Sequence, residues 1–549
     1  MKNLATGLLF CASISFAAAQ SSLPKKMDSL FQKYDSKTAP GVAVGIVMNE
    51  KVVFTKGYGL ANMEYDIPIT PASVFDIASV SKQFAGLAIS TLVQEGKISL
   101  QDDIHKYLPD VPDFGKTITI DHLVHHTSGL RDWPEGLNVA GWRWDEAFTF
   151  SDIIRMVKHQ KELDFEPGER YSYSNTGYNL LALIVEKVSG MSFRKWTDEN
   201  IFKPLQMDHS RFQDDYSELT KNMAYSYHRD GDVYKKNMTG LTAVGSSSLF
   251  TNVDDLCKWV IHFSKRISAK DPVYLRMLEG NKFNNGEKNT YAFGLGPGDM
   301  DGLPIVAHTG GWAGYRTVIM NFPDEKLSII LLGNNGEFNP HGTAGDVARV
   351  ILKGKMKSQP ATTDKTKALP TIKLKESLAT KFIGTYQLGD NWYVKLTLEN
   401  RQIMTQANGE EKFPAIPKSD SVLWIDAYNS SMTFVTGKDG KVNMLRYRGF
   451  NAPKIVPVKP DQAQWKSIPG IYYSKEFGTE YEIESKDGKL IMHHMRLGDF
   501  DLTEDIVKAG SFSSGIGTMT FFGEAGKVEG FRLSRGRIRN IKFDKVDKR

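Results

Sequence analysis

The chain of 549 residues is 41% hydrophobic and 24% charged, with a formal net charge of +5. That balance is ordinary for soluble globular domains and excludes a disordered or low-complexity chain. A charge so small, with no long Lys/Arg block, argues against a nucleic-acid partner.

The first segment reads as a signal peptide over residues 1–19. Lys2 supplies a basic start, Leu4 to Phe16 is mostly apolar, and Ala17-Ala18-Ala19 meets the small-x-small cleavage rule before Gln20. The expected localisation is periplasmic or secreted. The apolar stretch is too short to span a bilayer and no later run is longer, so no transmembrane segment is expected after cleavage. Leu8-Leu9-Phe10 before Cys11 also permits a lipidated cysteine, although Phe10 is bulky for that position. Cleavage after Ala19 leaves Cys257 as the one thiol, with no internal disulfide. Its helix-like surroundings make it a small buried hydrophobe.

Three textures follow. Residues 20–355 alternate helix and strand patterns. Residues 356–373 are rich in Lys, Thr and Pro, as in a linker. Residues 374–460 and 461–549 read as two sets of short strands divided by turn signals. Gly384-Thr385-Tyr386 and Gly440-Lys441-Val442 recur at Gly470-Ile471-Tyr472 and Gly526-Lys527-Val528, both at an offset of 86. Met432-Thr433-Phe434 recurs at Met519-Thr520-Phe521, offset by 87. Three landmarks in register imply two copies of one β module.

Within the first region, residues 41–59 read as a hairpin turning at Asn49-Glu50-Lys51. Phe84, Leu87, Ala88 and Leu92 recur at helical spacing, which predicts a helix from about Val80 to Glu95, closed by Gly96. Leu303 to His308, Arg316 to Phe322 and Lys326 to Leu332 read as strands. Strands at both ends of a helical middle predict one sheet assembled from both ends of the region.

Ser79-Val80-Ser81-Lys82 opens that helix. A spacing of three puts hydroxyl and amine on one face, and serine needs a base to become a nucleophile. Ser-x-x-Lys also occurs at Ser22 and Ser192, but only Ser79 lies between a strand-like approach and an apolar helix. Tyr173-Ser174-Asn175 follows a Pro167-Gly168 turn. It reads either as a proton-relaying Tyr with a substrate-orienting Asn, or as a packing Tyr with a turn Asn. His308-Thr309-Gly310-Gly311 ends a strand: small residues there let a substrate approach and free an N–H for an oxyanion, or else simply mark a bulge. Trp133, Trp142 and Trp144 fit the mouth of a cleft and core packing equally. His125-His126 reads as a structural loop, and His493-His494 as part of a strand.

The order of these three motifs resembles the penicillin-recognising serine enzymes: class C β-lactamases, D,D-carboxypeptidases, D-aminopeptidases and related esterases. GYGLANMEYDIPITPASVFDIASVSK, GKISLQDDIHKYLPD, LVHHTSGL and FEPGERYSYSNTGYNLL carry the likeness, which covers roughly residues 27–350. The resemblance implies an α+β fold: a β-lactamase/transpeptidase-like catalytic domain (antiparallel sheet with helices), here followed by two similar all-β barrel-like domains. It implies Ser79 as nucleophile, Lys82 as general base and Tyr173 as proton relay. The oxyanion hole would be the N–H groups of Ser79 and Gly311, with Asn175, His308, Thr309 and Gly310 binding substrate. His308 stands where β-lactamases usually carry Lys, which counts against β-lactamase activity.

No metal and no cofactor are expected, since HExxH, Walker and Cys/His zinc patterns are absent from the sequence. The partner is a small molecule or short peptide; the sequence leaves the oligomeric state open. A His-x-Gly third motif with two β domains behind it looks like a D-aminopeptidase, acting on peptides containing D-residues. An esterase or weak β-lactamase of the same class is the alternative. From a different class, a non-catalytic sensor would have lost Ser79, Lys82 or Tyr173, and all are present.

Overall fold

A computed structural model describes residues 23–357, 365–389, 392–407, 411–448, 450–458, 466–505, 510–524 and 526–547. The signal segment, Cys11 and Ser22 lie outside the described residues. The chain divides into two compact units, Met1–Lys357 with Arg537–Arg539, and Ser358–Gly536 with Asn540–Arg549.

The first unit is built on one antiparallel sheet drawn from both ends of its sequence. Strands β1 (Val42–Met48) and β2 (Lys51–Tyr58) come early. Strands β3 (Gly296–Met300), β4 (Leu303–Trp312), β5 (Tyr315–Phe322) and β6 (Leu327–Gly333) come late. The order is β3-β4-β5-β6-β1-β2, with Val42 opposite Gly333 where the two ends meet. The β1–β2 turn works because Asn49 and Glu50 both take positive φ, matching the twist of a tight hairpin.

Alternate residues of β1, β5 and β6 (Val44, Ile46, Val318, Met320, Ile329, Leu331) form one core with Ala344, Val347 and Ala348. Those alanines and the valine belong to a helix, Pro340–Ile351, that covers one sheet face. On the other face lies the helix Val253–Ser268, so close that a Cβ at Gly45 would meet Val253 Cγ1 at 2.6 Å. Being covered on both sides explains why all seven residues of β6 are buried, giving a continuous apolar run. Cys257 is a free, buried thiol in that covering helix, and burial pushes it up to about 12.

The second unit is all β after a short helix, Glu376–Phe382. Its first sheet has nine strands, and Phe413–Pro414 and Ile416–Ser419 occupy opposite ends of the strand order. Only Ala415 separates them, so the chain itself nearly closes the sheet. Its second sheet is a closed barrel of eight strands. The repeat seen in sequence recurs as geometry. Gly384 and Gly470 have φ of 145° and 149°. Tyr386 Oη donates to Phe382 O, and Tyr472 Oη donates to Ile468 O. Lys454 Nζ donates to Lys381 O, and Lys545 Nζ to Ser467 O.

Among the described residues no helix is long and apolar enough to cross a membrane.

Candidate active site

The approach to Ser79 is a strand ending, Phe75–Asp76, that turns abruptly into a helix. Ala78 sits at φ +48°, unfavourable for a residue with a Cβ, and its N–H donates to Asp76 Oδ1 at 2.8 Å. A tight 3-10 turn (Ala78–Ser81) comes next, then α1 (Lys82–Gln94). The α-helix therefore starts at Lys82, two residues later than its apolar spacing predicts, because the turn at Ala78 must be completed first.

Lys82 is fully buried. Its Nζ lies 3.3 Å from Ser79 Oγ, 2.7 Å from Asn175 Oδ1 and 2.9 Å from Ser246 O. Burial holds its pKa well below the ordinary 10.5, with Asp132 pulling the other way and Arg537 adding to the depression. A neutral amine has two N–H groups and one lone pair. The Asn175 and Ser246 oxygens are both acceptors and take the two hydrogens. In the neutral form the lone pair is then left for the Ser79 hydroxyl at 3.3 Å, the geometry a general base needs.

Asn175 is the first residue of α2 (Asn175–Ser189), capped by Ser174 Oγ accepting from Gly177 N. The helix thus starts three residues earlier than its apolar run at Tyr178, since the polar Ser-Asn-Thr stretch serves as cap and first turn. Asp132 fixes which way the amide points: Oδ1 accepts from Asn175 N at 2.7 Å and Oδ2 from Nδ2 at 3.1 Å. The same Oδ2 accepts from Arg537 Nη1 at 2.6 Å within this unit. The Asn175 amide, expected to orient a substrate amide, meets Lys82 through Oδ1 and Asp132 through one of the two Nδ2 hydrogens.

Tyr173 is brought to the same point, its ring centroid 4.7 Å from Lys82 Nζ. Burial pushes its phenol far above the usual value, and the Ser79 hydroxyl opposes that shift. Its Oη is buried without a partner of good hydrogen-bond geometry. His126 packs against the Tyr173 ring at 4.3 Å and accepts from Ser174 N through Nδ1, so the HHTSGL loop forms the floor of the site.

The third motif lies on β4. A Cβ at Gly310 would stand 2.1 Å from Ile77 O and 2.3 Å from Thr317 Oγ1, so only glycine lets the strand reach the turn before Ser79. Thr317 Oγ1 donates to Ile77 O at 2.9 Å and fastens β5 there as well. Thr309 is exposed and pairs with Val318; Gly311, also exposed, pairs with Arg316.

His308 is 9% exposed, with Nδ1 2.7 Å from Thr309 O and Nε2 3.0 Å from Tyr291 Oη. A carbonyl accepts only, so Nδ1 carries the hydrogen. Burial lowers the His308 pKa to about 4, so Nε2 accepts from Tyr291 at neutral pH. Tyr171, Tyr173, Tyr291, His308, Thr309 and Asp299 help to line a cleft of about 420 Å³ whose wall contains no Lys or Arg. Another cavity, of about 440 Å³ near Arg194, Lys203 and Arg211, holds none of the motif residues.

The competing Ser192 has a structural use. Its Oγ caps a short helix by accepting from the Lys195 backbone N–H at 3.2 Å. Trp133 is 1% exposed and packs with Phe148 and Trp312, while Trp144 is 45% exposed. His493 forms surface ion pairs with Glu484 and Asp499. No cluster of potential metal ligands occurs among the described residues.

The family model described as Beta-lactamase matches residues 27–353. The chain belongs to the beta-lactamase family. It is therefore a serine hydrolase of that family. Penicillin-binding protein 4* of Bacillus subtilis is 28% identical over 464 residues, covering 79% of this chain and 99% of that protein. The octameric penicillin-binding protein homologue from Pyrococcus abyssi superposes with a TM-score of 0.55 at 22% identity, covering 87% of this chain and 98% of that one. EstCE1, a hydrolase with promiscuous acyltransferase activity, gives a TM-score of 0.51 at 19% identity, covering 60% of this chain and 99% of its own. At such identities the two structures speak for the beta-lactamase fold alone.

Sequence reading missed Asp132, Tyr291 and the Ser246 carbonyl. Asp132 carried a weak signal, lying a few residues beyond the HHTSGL segment. Tyr291 and Ser246 stand in no motif; only the fold brings them to Lys82 and His308.

Proposed function

We propose that Ser79 attacks a substrate carbonyl and forms an acyl-enzyme, with Lys82 as the base. The carrying observation is the buried Lys82 amine, 3.3 Å from Ser79 Oγ and held by two obligate acceptors, Asn175 Oδ1 and Ser246 O. The Ser79 and Gly311 N–H groups would hold the oxyanion, where fixed donors act on charge that develops in the transition state. Tyr173 passes the proton to the leaving group, and Asn175 keeps Lys82 in place. Thr309 and Gly310 shape the strand edge along which substrate lies. Water then releases the acyl group by the reverse relay.

The substrate class proposed is small peptides containing D-residues, cleaved at an amide next to a free amino end. Two features support it: a neutral His308 and a cleft wall without Lys or Arg but with Asp299. A lining with Asp299 and without Lys or Arg favours an ammonium over a carboxylate. The same neutrality favours a second reading, an esterase acting on uncharged esters. Export rests on the amino-terminal apolar segment ending at Ala17-Ala18-Ala19. Measuring kcat/KM for D-amino acid amides, D-dipeptides, p-nitrophenyl esters and a chromogenic cephalosporin tests the assignment. The D-amino acid amides should lead. Fast cephalosporin turnover would overturn the specificity, and esters alone would establish the second reading.

A further inference from the structure

Asp76 is not among the residues used above, yet its side chain is 2% exposed and lies three residues before the nucleophile. Its Oδ1 accepts from Ala78 N at 2.8 Å, the Ser248 backbone N–H lies near enough to favour the charged carboxylate, and Asp76 pairs with Phe250 in the sheet beside it. Ala78 and Ser248 both sit in the left-handed region, at φ +48° and +65°, unfavourable for residues with a side chain. Each belongs to a segment that matters. Ala78 precedes Ser79, and Ser248 follows Ser246, whose carbonyl takes a hydrogen from Lys82. The two segments are also tied by Ile77 N to Leu249 O at 3.0 Å and Leu249 N to Ser81 Oγ at 3.3 Å.

We propose that Asp76 is a positioning residue, a buried carboxylate that clamps the Ala78 turn to the Ser248 turn and so sets Ser79 against Lys82. The inference rests on the reading of Ser79 and Lys82 given above. Among the described residues no Lys or Arg forms an ion pair with Asp76, and burial raises its pKa to about 7. Holding a carboxylate there costs stability, which fits a task in the site more than one in the fold.

Asp76→Asn separates the two. An amide has one oxygen where the carboxylate has two, carries no charge and turns N–H groups toward backbone donors, so its hold on the two turns is weaker. The rate at which a fluorophosphonate labels Ser79, and kcat with a small neutral ester, should fall about threefold to tenfold, with KM within about twofold. The melting temperature near pH 8 should hold or rise, because the buried charge is gone. Adding Ala78→Gly should restore at least half of the lost rate, since glycine takes φ +48° without a clamp. Rates equal to the parent's, a loss matched by lost folded protein, or no recovery with glycine would each overturn the clamp. Failure of the parent itself to be labelled at Ser79 would instead overturn the reading of the site.

Discussion

Asp132 grips Asn175 at two points, its backbone N–H and its side-chain Nδ2, at 2.7 and 3.1 Å. That grip turns the amide oxygen, not the nitrogen, toward Lys82, where it accepts from Nζ at 2.7 Å. Asp132→Asn can present an N–H to Asn175 and lets its amide flip. Turnover should drop about 10- to 100-fold, the scale of lost orienting contacts, while KM changes little. Steady-state kinetics on a neutral ester checks it; unchanged kcat would show that Asn175 holds Lys82 without help.

Ser79→Ala should abolish hydrolysis and leave the fold intact. A fluorophosphonate should label the parent on one peptide containing Ser79 and leave the variant unlabelled. Modification mapped to Ser192 would contradict the capping role of its hydroxyl.

Lys82 makes the site pH-dependent in a definite direction. Its folded pKa lies well below 10.5, so activity should rise with pH through that lowered value and then level off. Stability follows from the same shift. Above about pH 10.5 the lysine is neutral folded or unfolded; below it the unfolded chain takes up a proton that the folded chain refuses. The parent should therefore gain stability relative to Lys82→Met as pH rises from about 8 toward 10.5. Denaturant unfolding at both ends of that window measures the difference. Both Lys82→Met and Lys82→Arg should be nearly inactive, the latter because a guanidinium gives up no proton.

His308→Lys tests the neutral cleft. A lysine there adds the charge that a carboxylate-bearing β-lactam lacks as a partner, and charge-assisted hydrogen bonds contribute about 1.5–3 kcal/mol. We expect kcat/KM for such substrates to rise about tenfold on that scale, with neutral esters unchanged or slower. A parent enzyme that already turns over cephalosporins well, with no gain from the swap, would show that His308 does not set specificity.

Gly310→Ala places a methyl 2.1 Å from a backbone oxygen that cannot swing away. The strand must move off the turn before Ser79, taking Gly311 with it. Overpacking of this kind costs about 1–3 kcal/mol, and activity should fall by far more than the folded fraction does. Thermal melting and initial rates, measured together, distinguish the two effects.

Ser79, Lys82, Tyr173, Asn175 and the His308–Gly311 strand were legible because each lies in a short motif, and the motifs follow one another in a fixed order. The sheet was legible too, since its buried strands form apolar runs at both ends of one region and the β modules repeat at a steady offset. What the chain alone determined is therefore local: which residues carry reactive groups, where helices and strands run, and the register of the repeat. The rest came from contacts between distant segments. Asp132 meets Asn175, Ser246 meets Lys82, Tyr291 meets His308 and Asp76 reaches Ser248, none within a single helix or strand. Protonation was decided at the same level. An amine or imidazole has its ordinary pKa in an open chain, and only burial among neighbours from other segments lowers those of Lys82 and His308, which sets what this site can do.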